Sequence, residues 1–279
     1  MVRIVNRSKA GRTATLLLLA AVSAIMLFPL LWMVSTSLKA DYQIFVFPPR
    51  LIPSPVKWDN YVHLFETYPV GRYLWNTVYV TALTIAGKVV SCTVVAYGFA
   101  RFKAPGKEFL FAVLLATMMI PWAVTMVPLF ILFKSIGWYD TYLPLWVPSF
   151  FGDAFYIFLL RQFMLTIPRE LEEAGKMDGA GSFRTLSTIV LPMVKPAVTV
   201  VAIFTFFNAW NDFLGPVIFL GDSDKATLQL AIQNMATQFD APWNYMMGMS
   251  LISILPCLAV FFAAQRQMVE GIALTGVKG

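Results

Sequence analysis

The sequence has few charged residues. Asp, Glu, Lys and Arg together make up 13% of its 279 residues, whereas hydrophobic residues make up 58%. An ordinary soluble domain carries about 25% charged residues. Because a water-soluble core of this size cannot enclose so many apolar side chains, we expect lipid to cover much of the chain. The composition therefore favours an integral membrane protein.

Histidine and cysteine are almost absent as well. The chain has one histidine, His63, and two cysteines, Cys92 and Cys257, both within apolar runs. Without a Cys/His cluster we expect no metal site. Without further histidines no catalytic triad is plausible. The two thiols are expected to be buried and inert.

A nucleotide-binding loop is missing too. The pattern G-x-x-x-x-G-K-[ST] does not occur, since Gly87-Lys88 and Gly106-Lys107 lack the upstream glycine and are followed by Val89 and Glu108. We therefore expect no cofactor in this chain and no ATP chemistry of its own.

Six apolar runs are long enough to cross a bilayer as helices, which takes roughly 20 residues each. The first could instead be a signal peptide, but its apolar stretch is too long and no cleavage site follows it. Pro121 and Pro128 interrupt the third. We predict one transmembrane domain over 1–279 with spans at about 15–38, 73–100, 108–133, 142–160, 196–213 and 245–264.

The basic residues set the predicted orientation. The formal net charge is +6, but the cations are spread over several loops rather than one stripe, so nucleic-acid binding is rejected. With a cytoplasmic N-terminus, fourteen of the 21 Lys and Arg residues fall on the inside and six on the outside. Cytoplasmic loops are enriched in such residues. Both termini are therefore predicted to be cytoplasmic.

The longest cytoplasmic loop, 161–195, has the most informative pattern. Pro168 suits the first turn of a helix, and Asp178-Gly179 predicts a turn after it. Beyond the turn, an apolar face recurs at helical spacing. It consists of Phe183, Leu186, Ile189 and Val190. Two short amphipathic helices are therefore predicted, and their apolar face could lie on lipid, pack on the spans or dock on another protein.

This loop resembles the EAA loop of binding-protein-dependent ABC importer permeases. The resemblance rests on Glu173-Ala174-Gly175, Gly179, Ile189 and Leu191-Pro192, placed before the penultimate span. It implies a coupling helix that docks on a separate ATPase. Glu173 would pair with a basic group of the ATPase, Ala174 and Gly175 would allow close approach, and Gly179 would make the turn. Ile189, Leu191 and Pro192 would anchor the loop to span five.

Gly175 and Asp178 are two further positions to compare with the family's pattern. Gly175 departs from the usual alanine of the family but keeps a small residue there. Asp178 matches a frequent acidic residue and is expected to cap the second helix.

Other segments resemble the maltose-type, carbohydrate-uptake branch of these permeases. They are Asn208–Phe213 at the outer end of span five and the tail 265–279. The resemblance implies an all-α, six-span type I importer fold in the bacterial inner membrane. It also implies a second homologous permease, two ATPase subunits that bind ATP and Mg, and an extracytoplasmic binding protein. The implied substrate is a sugar of the di- or oligosaccharide class, with another small solute such as glycerol phosphate as the alternative.

Polar residues inside the spans are the candidate substrate contacts. Lys88 and Asp153 lie at similar depth in spans two and four, and we predict that they pair. Lys88 lining the substrate path is the alternative. In span five Asn208 and Asp212 share a face with Thr205. With the neighbouring Trp210 and Asn211, they could contact a sugar or could hold the helices together by hydrogen bonds.

Two other classes of membrane protein fit the sequence less well. A secondary transporter would need ion-coupling residues and usually inverted repeats, and it would leave the cytoplasmic loop unexplained. A membrane enzyme would need an acid, base or metal constellation near one interface, which the sequence does not show.

Overall fold

The computed structural model describes residues 9–237 and 240–276. The basic N-terminal residues 1–8 and the last three residues of the predicted tail lie outside the described residues. Within the described ranges, regular structure is helical throughout. The α-helices are α1 (Lys9–Ser37), α2 (Asp59–Thr67), α3 (Val70–Arg101), α4 (Lys107–Thr117), α5 (Trp122–Ser135), α6 (Leu143–Trp146), α7 (Ala154–Leu165), α8 (Arg169–Met177), α9 (Ser182–Thr185), α10 (Leu191–Met193), α11 (Lys195–Trp210), α12 (Leu214–Phe219), α13 (Leu228–Ala236) and α14 (Trp243–Gly276).

These helices provide up to six membrane crossings. Four stretches are long and apolar enough to span alone, and two bent helix pairs complete the set if each pair counts as one span. The single spans are Gly11–Ser37, Val70–Arg101, Leu143–Leu165 and Trp243–Gln265. The predicted all-helical, multi-span fold class is therefore confirmed.

The break predicted in the third run lies at Pro121. Helix α4 ends at Thr117, α5 begins directly after Pro121, and the two axes differ by 96°. Pro128, which was also expected to interrupt this run, lies inside α5 without ending it. A proline within a membrane helix is tolerated where neighbouring groups satisfy the freed carbonyl.

One compact unit comprises 1–70 and 232–254. Within it, Asn60 ties the end of α1 to α2, because its amide donates to the carbonyls of Ser37 and Lys39 at 2.9 and 2.8 Å. Tyr61 adds a hydroxyl contact to Ser37 at 2.9 Å. The bond to Ser37 satisfies the last carbonyl of α1, which has no partner inside the helix.

The second compact unit comprises 71–231 and 255–279. Its buried core is built from α3, α7 and the segment from α9 to α11. Cys92 is buried in this core, as predicted, and Cys257 is half-buried. Side chains with almost no exposed surface include Ala96, Leu160, Met164, Val190 and Val201. The predicted cytoplasmic loop thus shares its core with helices of three spans, α3, α7 and α11.

Two predicted external loops of the second unit are joined at Asp140. Its Oδ1 accepts the amides of Gly221 and Asp222, each at 3.0 Å, and its Oδ2 pairs with Lys225 Nζ at 2.7 Å. The Lys225 ammonium lowers the pKa of the Asp140 carboxyl, and the Asp222 amide acts in the same direction. Asp140 in turn raises the pKa of Lys225.

Acid should loosen this junction. Because the pKa of Asp140 is lowered in the folded chain, its stabilising effect is complete above the ordinary aspartate pKa of about 3.9 and is lost as pH falls through the lowered value. Amide hydrogen exchange at Gly221 and Asp222, corrected for intrinsic rates, should show protection that decreases in that window. Asp140→Asn keeps the amide acceptor but does not titrate, so it should abolish the pH step; an identical step in this variant would contradict the assignment.

Candidate functional site

The first separate helix of the predicted cytoplasmic loop is α8, which forms directly after Pro168. The helix ends at a glycine turn, since Gly179 has φ +79° and its amide bonds to the Lys176 carbonyl at 3.0 Å. The amide of Ala180 bonds back to the Gly175 carbonyl at 2.9 Å. This pair of bonds is the Schellman motif that a left-handed glycine permits. The turn predicted at Asp178-Gly179 is confirmed.

The second half of the loop is helical from Ser182 to Met193. It includes one turn of π-helix over Leu186–Val190, and it meets α11 at an angle of 81°. Asp178 does not cap this helix, so that prediction is wrong. The N-cap position is taken by Gly181, three residues further on, and Asp178 instead ends α8.

Two distant positions of the EAA-like pattern meet in the fold. A Cβ added at Gly175 would fall 2.5 Å from Ile189 Cδ1, so the first helix packs on the second at this point. Ile189 and Leu191 are half-buried, whereas Glu173, Ala174 and Pro192 are exposed. Gly175 therefore allows close approach within the loop itself. The predicted ATPase-contact and anchoring roles of these residues remain predictions.

The loop presents two large apolar side chains to the outside. Met177 is 90% exposed and Phe183 is 78% exposed, one on each side of the Gly179 turn. The sequence placed Phe183 on the same apolar face as Leu186 and Val190, but only the latter two are buried. The helical segment thus has an inner apolar face and an outer apolar residue.

Glu172 is a functional candidate that the sequence does not single out. In the sequence it is one of several acidic residues in the first turns of a helix. Its side chain is 6% exposed and forms an ion pair with Arg101 at the end of α3. Glu172 lies one helical turn before Gly175 and therefore shares the packed face. That spacing is the signal that could have found it.

A cavity of about 590 Å³ lies among the spans of the second unit. Lys88 and Asp153 both line it, and Lys88 Nζ lies 2.5 Å from Asp153 Oδ2. The predicted pairing is therefore confirmed, and Lys88 also faces the cavity. Asp153 Oδ1 caps α7 by accepting the amides of Phe155 and Tyr156. One carboxylate thus orients both a lysine and a helix start.

Helix α11 and the short segment that follows it contribute a second polar wall. Thr205, Asn208 and Asp212 line the cavity, so the face predicted for them is confirmed. Asn208 also donates to the Tyr156 hydroxyl at 3.4 Å, which is an interhelical bond of the kind weighed as the alternative. Asp212 Oδ1 accepts the Gly215 amide at 3.1 Å.

Two predicted neighbours do not face the cavity. Trp210 is buried and stacks on Phe206 with ring centres 5.4 Å apart, and Asn211 donates to the Phe207 carbonyl at 2.8 Å. Neither is among the residues that line the cavity. Trp210 and Asn211 lie between Asn208 and Asp212 in the sequence, and their side chains therefore point away from the face that lines the cavity.

Known proteins resemble this chain in sequence and in fold. Residues 92–272 match the family described as the inner-membrane component of binding-protein-dependent transport systems. A probable ABC transporter permease protein YurM of Bacillus subtilis is 34% identical, over 90% of this chain and 84% of its own. The sn-glycerol-3-phosphate transport permease UgpE of Yersinia enterocolitica is 31% identical, over 89% and 91%. The lactose transport permease LacG of Rhizobium radiobacter is 30% identical, over 88% and 89%.

The fold has a solved counterpart. A chain of a bacterial ABC transporter that imports the acidic polysaccharide alginate superimposes with a TM-score of 0.82 at 20% identity, covering 93% of this chain and 98% of that one. The family match also identifies a transport component rather than an enzyme. The chain therefore belongs to the family of inner-membrane permease components of binding-protein-dependent ABC importers.

Proposed function

We propose that this permease moves a neutral sugar, supplied by its binding protein, and is driven by a separate ATPase that docks beside the Gly179 turn of the cytoplasmic loop. In this proposal the chain forms one transmembrane domain, pairs with a second homologous permease and sits on two ATPase subunits. ATP and Mg bind to those subunits. The proposal starts from the exposed apolar residues of the cytoplasmic loop.

The outer side of this loop has the chemistry of a docking surface. Met177 and Phe183 project beside the Gly179 turn, with Glu173 exposed on the same helix as Met177. Large exposed apolar groups on a polar segment mark interaction sites. Lipid is a poor alternative partner for α8, whose charged residues Glu170, Glu173 and Lys176 are all exposed. A protein groove with a basic group would satisfy both the apolar and the acidic side chains.

The charge of the cavity favours a neutral solute over glycerol phosphate. Of the described residues that line it, Lys88 is the cation, whereas Asp153 and Asp212 are carboxylates. Lys88 is already paired with Asp153. A phosphate dianion would therefore meet an unneutralised carboxylate rather than a free cation, and a desolvated charge without a partner is costly.

The same wall suits sugar hydroxyl groups. Asn208 and Asp212 offer amide and carboxylate groups, and the Thr205 hydroxyl is buried without a hydrogen-bond partner among the described residues. Trp122 and Tyr156 add aromatic rings to the lining. Sites that bind small polar solutes combine apolar walls with a few placed polar groups.

Docking can be tested at Phe183. Phe183→Ser should weaken binding of the ATPase about tenfold or more, because burying a phenylalanine side chain is worth about 1.5–3 kcal/mol. Affinity of the purified permease complex for the ATPase, measured in detergent or nanodiscs, reports this directly. Thr188→Ala is the matched control, since Thr188 is exposed on the same helical segment and its hydroxyl bonds only to the Arg184 carbonyl, at 2.7 Å. If Phe183→Ser bound the ATPase with the same affinity as Thr188→Ala and the wild type, Phe183 would be excluded from the docking surface.

The substrate class can be tested at Asp212. Asp212→Asn should lower uptake of a neutral disaccharide about tenfold, because a hydrogen bond to a charged group contributes about 1.5–3 kcal/mol. If the solute is anionic, removal of this carboxylate should instead raise uptake. Proteoliposomes would be assayed with a panel of neutral disaccharides and with sn-glycerol 3-phosphate. Asp240→Asn, an exposed carboxylate outside the cavity, should change neither rate.

A further inference from the structure

A buried ion pair joins the cytoplasmic end of α3 to α8. Arg101 Nε contacts Glu172 Oε1, and both side chains are 6% exposed. Arg101 Nη2 donates to the Ile167 carbonyl at 3.0 Å, and the Tyr97 hydroxyl lies 3.4 Å from Glu172 Oε2. Arg101 therefore holds both the start of the loop and its first helix.

Stability alone does not account for this pair. Taking two charges out of water is expensive, and a well-packed apolar pair is often as stable. Around it the loop already packs through apolar side chains, including Ile167, Leu186 and Val190. The ion pair and the hydrogen bond from Arg101 to the Ile167 carbonyl add polar contacts between the end of α3 and the loop, which limit their relative position more strictly than apolar packing does.

Helix α8 separates two tasks on two faces. Glu172 is buried against α3, whereas Glu173 and Met177 are exposed on the face that the proposed function assigns to the ATPase. The Glu172 side chain is therefore one contact between α8 and α3, in addition to the apolar core that the loop shares with α3.

Helix α3 connects this contact to the cavity. Arg101 and Lys88 lie thirteen residues apart on one helix, which corresponds to about 20 Å. Lys88 pairs with Asp153 at the start of α7, and Arg101 bonds to Ile167 shortly after the end of α7. The two helices are thus tied at two levels, one beside the cavity and one beside α8.

We propose that Arg101 and Glu172 are positioning residues that transmit movement of α8 to α3 and so to the cavity wall at Lys88. This inference rests on the proposed function, since it requires an ATPase that moves α8. The pair contacts neither solute nor nucleotide. Its effect is on the ratio between ATP hydrolysed and solute moved.

The test uses the whole reconstituted complex with its ATPase and binding protein. Glu172→Gln should leave assembly and basal ATP hydrolysis close to wild type, while ATP consumed per solute transported rises about tenfold, within the usual range of coupling between sites. The solute is the neutral disaccharide that the wild-type complex transports best. Glu108→Gln, which changes an exposed acid at the start of α4 outside the docking surface, should leave the ratio unchanged.

A second variant guards against misfolding. Arg101→Met with Glu172→Met leaves no unpaired buried charge and should fold and assemble. It should show the same raised ratio. The charge exchange Arg101→Glu with Glu172→Arg should restore part of the coupling.

Three outcomes would overturn the inference. The first is a wild-type ratio in Glu172→Gln, and the second is a wild-type ratio in the double methionine variant. The third is loss of ATPase binding in both variants, which would make the pair a purely structural support of the loop. A wild-type complex that takes up solute without ATP would instead overturn the proposed function, so the two failures are distinguishable.

Discussion

The structure depends on one constraint, which is that the inner face of the cytoplasmic loop is buried in the same apolar core as α3 and α7. Leu186 and Val190 are buried together with Ala96 and Leu160. Because closely packed interiors transmit displacement, movement of the loop is passed in part to these two spans through apolar packing. The loop is therefore part of the helix bundle, and it also exposes two large apolar side chains, Met177 and Phe183.

Polar contacts give this apolar core a defined geometry. Lys88 with Asp153 fixes the approach of α3 to the start of α7, and Arg101 with Glu172 fixes α3 to α8. Charged groups at membrane depth are tolerated where they pair or face a cavity, and Lys88 does both. The cavity and the cytoplasmic loop are consequently two ends of one connected set of helices.

Much of this could be predicted from the sequence. The spans follow from long apolar runs, the glycine turn from Asp178-Gly179, and the Lys88–Asp153 pair from the cost of isolated charges in a membrane. Other features depend on packing that one sequence does not reveal. Phe183 fits the apolar period of its helix yet faces outward, Trp210 and Asn211 turn away from the cavity, and Glu172 looks like an ordinary acid of a first helical turn.

Docking of the ATPase on the cytoplasmic loop is tested most directly by cross-linking from position 183. In a chain whose Cys92 and Cys257 are replaced by serine, Phe183→Cys would be labelled with a short reagent that carries one thiol-reactive and one photoreactive group, and the reconstituted, transport-competent complex would then be illuminated. The account predicts a covalent product between this chain and the ATPase subunit, absent when the cysteine replaces the external Asp240 instead. A complex that transports solute in an ATP-dependent manner but yields no product from position 183 would contradict the assignment of this loop as the coupling surface.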